Sequence, residues 1–214
     1  KDAREKVIGD LKVAAPVAFG STWLAPRLGA FADTYPETRL QILLDDREYD
    51  LLKLEAECAI RLWAATHADL IQRKLFTVHF HLYASPAYLK NHGTPQSIAD
   101  LDQHRLITFG AAPQTYLRGL NWLETAGRDA GSPRRPTLRI NNILGIKRAV
   151  QKGIGLAILP DYLVDAESGL VQLFPEADVP SFDGYFVYPE EMRSTARVKA
   201  FRDFLVAKAE RWTY

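Results

Sequence analysis

Four residues near the start of the chain have the types and spacing to hold an anion. Phe19-Gly20-Ser21-Thr22 separates an apolar run, LKVAAPV, from a segment in which Leu24, Leu28, Phe31 and Tyr35 recur at helical spacing. Small donor-rich residues at a helix start present backbone N–H groups and hydroxyls to negative charge, an effect of about 0.3–1 kcal/mol per favourable charge. The same hydroxyls are common N-caps, so Ser21 or Thr22 could serve the helix alone, the ligand, or both. Asn141-Asn142 repeats the arrangement at a second helix start. Arg61, following the strand residues Cys58-Ala59-Ile60, offers a rigid fork of donors to a carboxylate or phosphate; the alternative is an internal pair with Asp45, Asp46 or another acid.

Other reactive side chains suggest less. His79 and His81 share one face of a strand, as a metal pair would, but no third ligand is positioned by spacing. The plainer reading is a polar strand face, and no metal site is assigned. Cys58 would sense redox state only with exposure and a lowered pKa, and in the apolar strand it reads better as a small buried hydrophobe. No nucleophile elbow, phosphate loop or dinucleotide fingerprint occurs, and no Ser, His and Asp spacing builds a triad. The chain therefore reads as a non-enzyme without a cofactor.

Alternating elements must position these groups. Strands are expected at Leu11 to Val17, Leu40 to Leu44, Cys58 to Leu62, Phe80 to Ala84, Leu106 to Phe109 and Ile154 to Leu159. Between them come helices at Thr22 to Tyr35 and near Glu48 to Glu55, two short helices in YASPAYLKNHGTPQSIADL, and one from Ile143 stopped by Gly153. A strand also precedes Asn141. This βαβ rhythm predicts parallel sheet with helical crossovers. Residues 111–136 are the least regular, with NWLETAG read as a short antiparallel piece or amphipathic turn. The last segment, STARVKAFRDFLVAKAERW, reads as an amphipathic helix with Val198, Phe201, Leu205 and Trp212 inward and Arg197, Lys199, Arg202, Asp203 and Lys208 in water.

Composition narrows the class. The 214 residues carry 27 Lys and Arg against 26 Asp and Glu, net +1, with no basic block, so no footprint for nucleic acid or an anionic membrane is visible. No apolar run approaches the ~20 residues of a membrane span. A single cysteine suits a reducing compartment, hence a cytoplasmic reading. The opening KDAREKVIGD has no initiator Met and no apolar signal core, and reads as a cut end: a removed signal peptide, or a linker helix from an upstream domain.

GDLKVAAPVAFGSTWLAPRLGAFADTYPETRLQILL, AIRL, LYASPAYLKNHGTPQSIADL and AVQKGIGLAILPDYLV together resemble the effector-binding domain of bacterial LysR-type transcriptional regulators over nearly the whole chain. A fainter similarity links it to the LsrB/VtlR-like branch of alphaproteobacteria. The resemblance implies an α/β fold of two Rossmann-like subdomains joined by two crossovers, like a type 2 periplasmic binding protein. Residues 1–9 would be the tail of a linker helix, 10–80 plus 184–214 subdomain I, and 81–183 subdomain II. The N-terminal winged helix-turn-helix of such regulators is absent from these residues.

The function implied is effector sensing: an anionic small molecule held in the inter-subdomain cleft controls DNA binding by the missing domain, in a homodimer or homotetramer. Its contacts would be Phe19, Gly20, Ser21 and Thr22, with Arg47 and Arg61. Asn141 and Asn142 would face them, and Trp63 and Phe109 would form apolar walls. A periplasmic solute-binding protein, or redox sensing through Cys58, are the alternative functions. With net charge +1 and no basic stripe, the isolated chain is expected not to retard a duplex operator fragment, and a salt-resistant gel shift would contradict this.

Overall fold

A computed structural model describes residues 6–110 and 121–214. They form two compact units, residues 1–77 with 183–213, and residues 78–182 with Tyr214. The chain thus passes from one to the other at 77–78 and 182–183, where the sequence reading set the crossings near His81 and Gly184. Residues 1–5 of the expected linker tail and residues 111–120 lie outside the described residues.

The first unit is built on strands β1 (Gly9–Ala15), β2 (Thr38–Leu44), β3 (Cys58–Arg61), β4 (Leu70–Val78) and β10 (Phe182–Pro189), in the order β2-β1-β3-β10-β4. β1 runs parallel to both β2 and β3, with Val13 opposite Ile42 and Cys58, whereas β10 is antiparallel to β3. Leu11, Val13, Ala14 and Ala15 of β1 are all buried, as in a strand covered on both faces. The carboxyl ends of three parallel strands therefore meet at one edge.

Helix covers one face of that sheet. From Val17 to Thr34 the chain is helical but not uniform: α1 (Val17–Phe19), a π-turn at Gly20–Leu24, a 3₁₀ turn at Ala25–Arg27, then α2 (Leu28–Thr34). Pro26 explains the irregularity. It has no N–H and its ring crowds the carbonyl four residues back, so the helix widens before it, with Ala25 N–H reaching Gly20 O, and tightens after it, with Leu28 N–H reaching Ala25 O. The terminal helix α6 (Ala196–Ala209) packs alongside, Phe201 lying 5.3 Å from Phe31 and 6.3 Å from Phe186 between ring centres. Arg197 departs from the expected water-facing set: it bonds Glu57 at 3.2 Å and the Ile8 carbonyl at 3.3 Å.

The opposite face is closed by a loop. No helix forms near Glu48 to Glu55; those residues make turns, in which Leu54 takes a left-handed φ of 56° and Asp50 accepts from the Lys53 N–H. That backbone cannot continue a helix. Leu51 and Ala56 nevertheless bury against Ala14, Ala59 and Val187, a row across β1, β3 and β10. An aromatic group, Phe19, Trp23, Phe76 and Trp212, completes the unit, with Phe76 and Trp212 stacked at 4.1 Å and the Trp212 indole N–H donating to Thr77 O at 2.8 Å. Gly184 is required here, because a Cβ would stand 2.3 Å from the Phe76 ring.

The second unit is assembled from smaller pieces. β5 (Phe80–Ala84) lies between β8 (Ala157–Pro160) and β9 (Val171–Leu173), antiparallel to both. β6 (Ile107–Phe109) and β7 (Leu138–Ile140) form a parallel pair, tied to Leu156 through Leu106. Helix α3 (Pro86–His92) is capped by Ser85, and the 3₁₀ segment Ile98–Gln103 by a Ser97–Asp100 box. NWLETAG holds a short helix, α4 (Trp122–Thr125), rather than an extended piece. Arg134, 3% exposed, explains it: the guanidinium donates to the carbonyls of Leu123, Ala126 and Ile98 and to Asp102. Helix α5 (Ile143–Gln151) ends before Gly153 at φ 74°.

One hydrogen-bond chain in this unit depends on protonation. Arg105 N–H donates to the Tyr88 hydroxyl at 3.1 Å, so that hydroxyl's own proton is directed to His104 Nδ1, 2.8 Å away. His104 is thereby used as an acceptor, and burial together with nearby His92 holds its pKa below the usual imidazole value. The unfolded chain then binds more protons than the folded one just below pH 6.5, so stability is lost as pH falls through that range. The melting temperature is expected to drop from pH 7 toward pH 5, and less steeply in His104→Gln, in scans of both proteins at each pH.

Candidate functional site

At the carboxyl ends of β1, β2 and β3 lies a small depression of about 10 Å³, room for about one water molecule. Its lining includes Pro16, Asp45, Arg47, Glu48, Arg61 and Trp63. Strand ends of a parallel sheet are where α/β proteins bind ligands, because the connecting loops diverge there.

The helix N-terminus beside it is already occupied. Asp46 Oδ1 accepts from the Val17 N–H at 3.1 Å, placing a carboxylate on the positive end of α1. Burial raises the Asp46 pKa against this hydrogen bond. The helix begins at Val17 and not near Thr22, with Pro16 at the cap position, so Ser21 and Thr22 are not N-caps: both are exposed within the π-turn. Phe19 and Gly20 are buried, Phe19 in the aromatic group and Gly20 so close to Leu44 that a Cβ would stand 2.1 Å from a Leu44 methyl. None of these four lines the depression.

Arg47, Arg61 and Trp63 do line it. Arg61 is 4% exposed; its Nη2 donates to Tyr49 O at 2.7 Å, its Nη1 is 3.2 Å from Glu48, and its guanidinium stands 5.6 Å from the Trp63 ring centre. Burial lowers its pKa, while Glu48 and Asp50 oppose that shift. Arg47 lies 3.9 Å over the Tyr49 ring and pairs with Asp45 at 3.5 Å and Glu55 at 3.6 Å. Thus Glu48, not Asp45 or Asp46, is the acid that answers Arg61. Two arginines against Asp45 and Glu48 leave the lining near neutral.

Phe109, Asn141 and Asn142 lie in the second unit, at the ends of β6 and β7. Asn142 caps α5, its Oδ1 accepting from the Gly145 N–H at 3.0 Å; Asn141 is exposed, and Phe109 is buried with its N–H on Asn121 Oδ1. Beside Phe109 the Thr108 hydroxyl, 1% exposed, has no hydrogen-bond partner among the described residues. Nothing in the sequence pattern marks that hydroxyl. Glu48 and Tyr49 were missed as well, and Asp46 was named only as a partner for Arg61, although the run LLDDREYD directly after a strand was their signal.

The remaining reactive groups resolve locally. Cys58 is fully buried and its thiol is pushed well above its ordinary pKa by burial, the reverse of what a redox sensor needs, so that assignment is withdrawn. His81 Nδ1 donates to Asp161 at 2.8 Å, and the Tyr83 hydroxyl donates to the same carboxylate at 2.8 Å. His79 is exposed. Among the described residues no group of three His, Cys, Asp or Glu side chains gathers to hold a metal.

The model of the LysR substrate binding domain matches residues 4–210. The chain belongs to that family. This LysR substrate-binding domain is 30% identical over 204 residues to an HTH-type transcriptional regulator of Xanthomonas campestris pv. campestris, covering 94% of the chain and 59% of the regulator. It is 31% identical over 206 residues to the HTH-type transcriptional regulator CrgA of Neisseria meningitidis serogroup C, covering 92% of the chain and 66% of CrgA. The CrgA regulatory domain structure superposes with a TM-score of 0.81 at 28% identity, over 94% of this chain and 99% of that one. The effector domain of AmpR from Pseudomonas aeruginosa, at 22% identity and a TM-score of 0.74 over 94% of this chain and 96% of that one, shares the fold. The LysR substrate-binding domain therefore has the type 2 periplasmic-binding-protein fold, and it is the effector-binding part of a LysR-type regulator. It spans 59–66% of the length of the first curated relatives it matches.

Two substitutions in the LysR substrate-binding domain separate a true cap from an apparent one. Asn142→Ala is expected to cost about 1 kcal/mol, the usual worth of an N-cap, and Ser21→Ala within about 0.5 kcal/mol, as for an exposed position. Urea melts of the two variants against the parent would check the difference.

Proposed function

We propose that the domain senses a small anionic effector at the carboxyl ends of β1, β2 and β3, and that in the longer regulator this controls DNA binding by an N-terminal helix-turn-helix domain. The observation that carries the reading is a buried guanidinium, Arg61, which stands near the Trp63 ring at the strand ends and also lines an adjoining depression of about 350 Å³. A carboxylate ligand gains a fork of charged donors there, and an apolar body gains a ring to lie against. The functions of its relatives, which are named as transcriptional regulators, support a binding module over an enzyme.

The same reading extends to the longer protein as a cytoplasmic homodimer or homotetramer. No helix among the described residues is long and apolar enough to cross a membrane.

Native mass spectrometry of freshly purified protein is the direct test, read for a co-purified small acid. Calorimetry with that molecule is then expected to show Arg61→Gln weakening binding by about 1.5–3 kcal/mol, the worth of a hydrogen bond to a charged group. Unchanged affinity in Arg61→Gln would remove the guanidinium from the site.

A further inference from the structure

We infer that Glu48 is a built-in competitor that occupies Arg61 and sets which anions the domain accepts, an inference that rests on the strand-end site proposed above. The two contacts of the guanidinium are unequal. Nη2 meets the Tyr49 carbonyl at 2.7 Å, a main-chain acceptor fixed by the fold, whereas Nη1 meets a single Glu48 oxygen at 3.2 Å. Arg61 is 4% exposed but the Glu48 side chain is 50% exposed. One partner of this pair is held by the fold, and the other reaches into water, so a second oxyanion can replace it without moving the backbone.

The position of Glu48 gives that asymmetry a use. Glu48, Tyr49 and Arg61 line the depression at the strand ends and also a second one on the other side, bounded by Leu52, His67 and Leu70. The Glu48-Tyr49 segment is thus a partition standing over a guanidinium reachable from either side once the Glu48 carboxylate leaves.

A buried guanidinium stripped of its counter-charge is strongly unfavourable, so Glu48 departs only as another oxyanion arrives. Exchange of this kind rejects ligands that offer no charge, since they cannot replace the carboxylate. It favours a planar carboxylate able to take two donors at once and lie against Trp63, because two parallel bonds outcompete one. Glu48 is therefore a specificity-determining residue: it raises the threshold for every anion and passes those that bind Arg61 through both oxygens.

The test uses benzoate as the probe and benzamide as its uncharged control, on the parent and Glu48→Gln. Glutamine keeps a neutral acceptor near Nη1, and the half-exposed position makes it compatible with the fold, which thermal melts would verify. Calorimetry gives affinity, and the ¹H–¹⁵N resonance of the Arg61 Nε–H reports contact at the guanidinium. Benzoate is expected to bind Glu48→Gln about tenfold more tightly than the parent and to shift the Arg61 resonance, with benzamide affected by neither change. Equal benzoate affinity in both proteins with the Arg61 resonance moving in both would overturn the role of Glu48 and leave the strand-end site standing. An Arg61 resonance unmoved by millimolar benzoate even in Glu48→Gln would overturn both.

Discussion

A guanidinium taken out of water must be answered by oxygen, and around Arg61 this requirement organises the first unit. The side chain is at the end of β3 and is only 4% exposed. Its acceptors come from the loop after β2, the Tyr49 carbonyl and the Glu48 carboxylate. Satisfying Arg61 pulls residues 45–57 across the sheet, and the same loop inserts Leu51 and Ala56 against Ala14, Ala59 and Val187. Polar satisfaction and apolar burial are thus met by one segment, in place of the helical crossover usual between parallel strands.

That loop also decides the electrostatics at the strand ends. Asp46 takes the Val17 N–H, Asp45 and Glu55 take Arg47, and Glu48 takes Arg61. Positive charge is present but already engaged. Each of these side chains is thereby held in a pair within one short loop, and the charges at the strand ends balance one another.

The second unit solves its packing differently. Its sheets are short, and buried polar groups hold the pieces: Arg134 collects three carbonyls and Asp102, Tyr88 links Arg105 to His104, and Asp161 joins His81 to Tyr83. Each is a hydrogen-bond network satisfied in one arrangement only, so these contacts specify geometry more than they add stability. The first unit, with its Phe19, Trp23, Phe76 and Trp212 group, relies on ring packing instead.

By itself the sequence determined what depends on local periodicity. The strands Leu11, Leu40 and Cys58 begin or run through, the α5 start at Asn142 and its stop at Gly153, and the buried stripe of α6 all follow from apolar spacing and cap residues within a few positions of one another. Motifs in order along the chain carried the family. Tertiary structure alone decided the rest. Ser21 and Thr22 have the composition of a cap, but Asp46, 29 residues from Val17 along the chain, has its place in space. Residues near Glu48 to Glu55 have helical spacing, yet the oxygen demanded by Arg61 and the left-handed Leu54 make them a loop. The partner of Arg61 was equally out of reach. Local patterns encode which backbone bonds a segment makes with itself. Which distant carboxylate meets which buried donor is set only when the strands have paired and the loops between them have been brought to one edge.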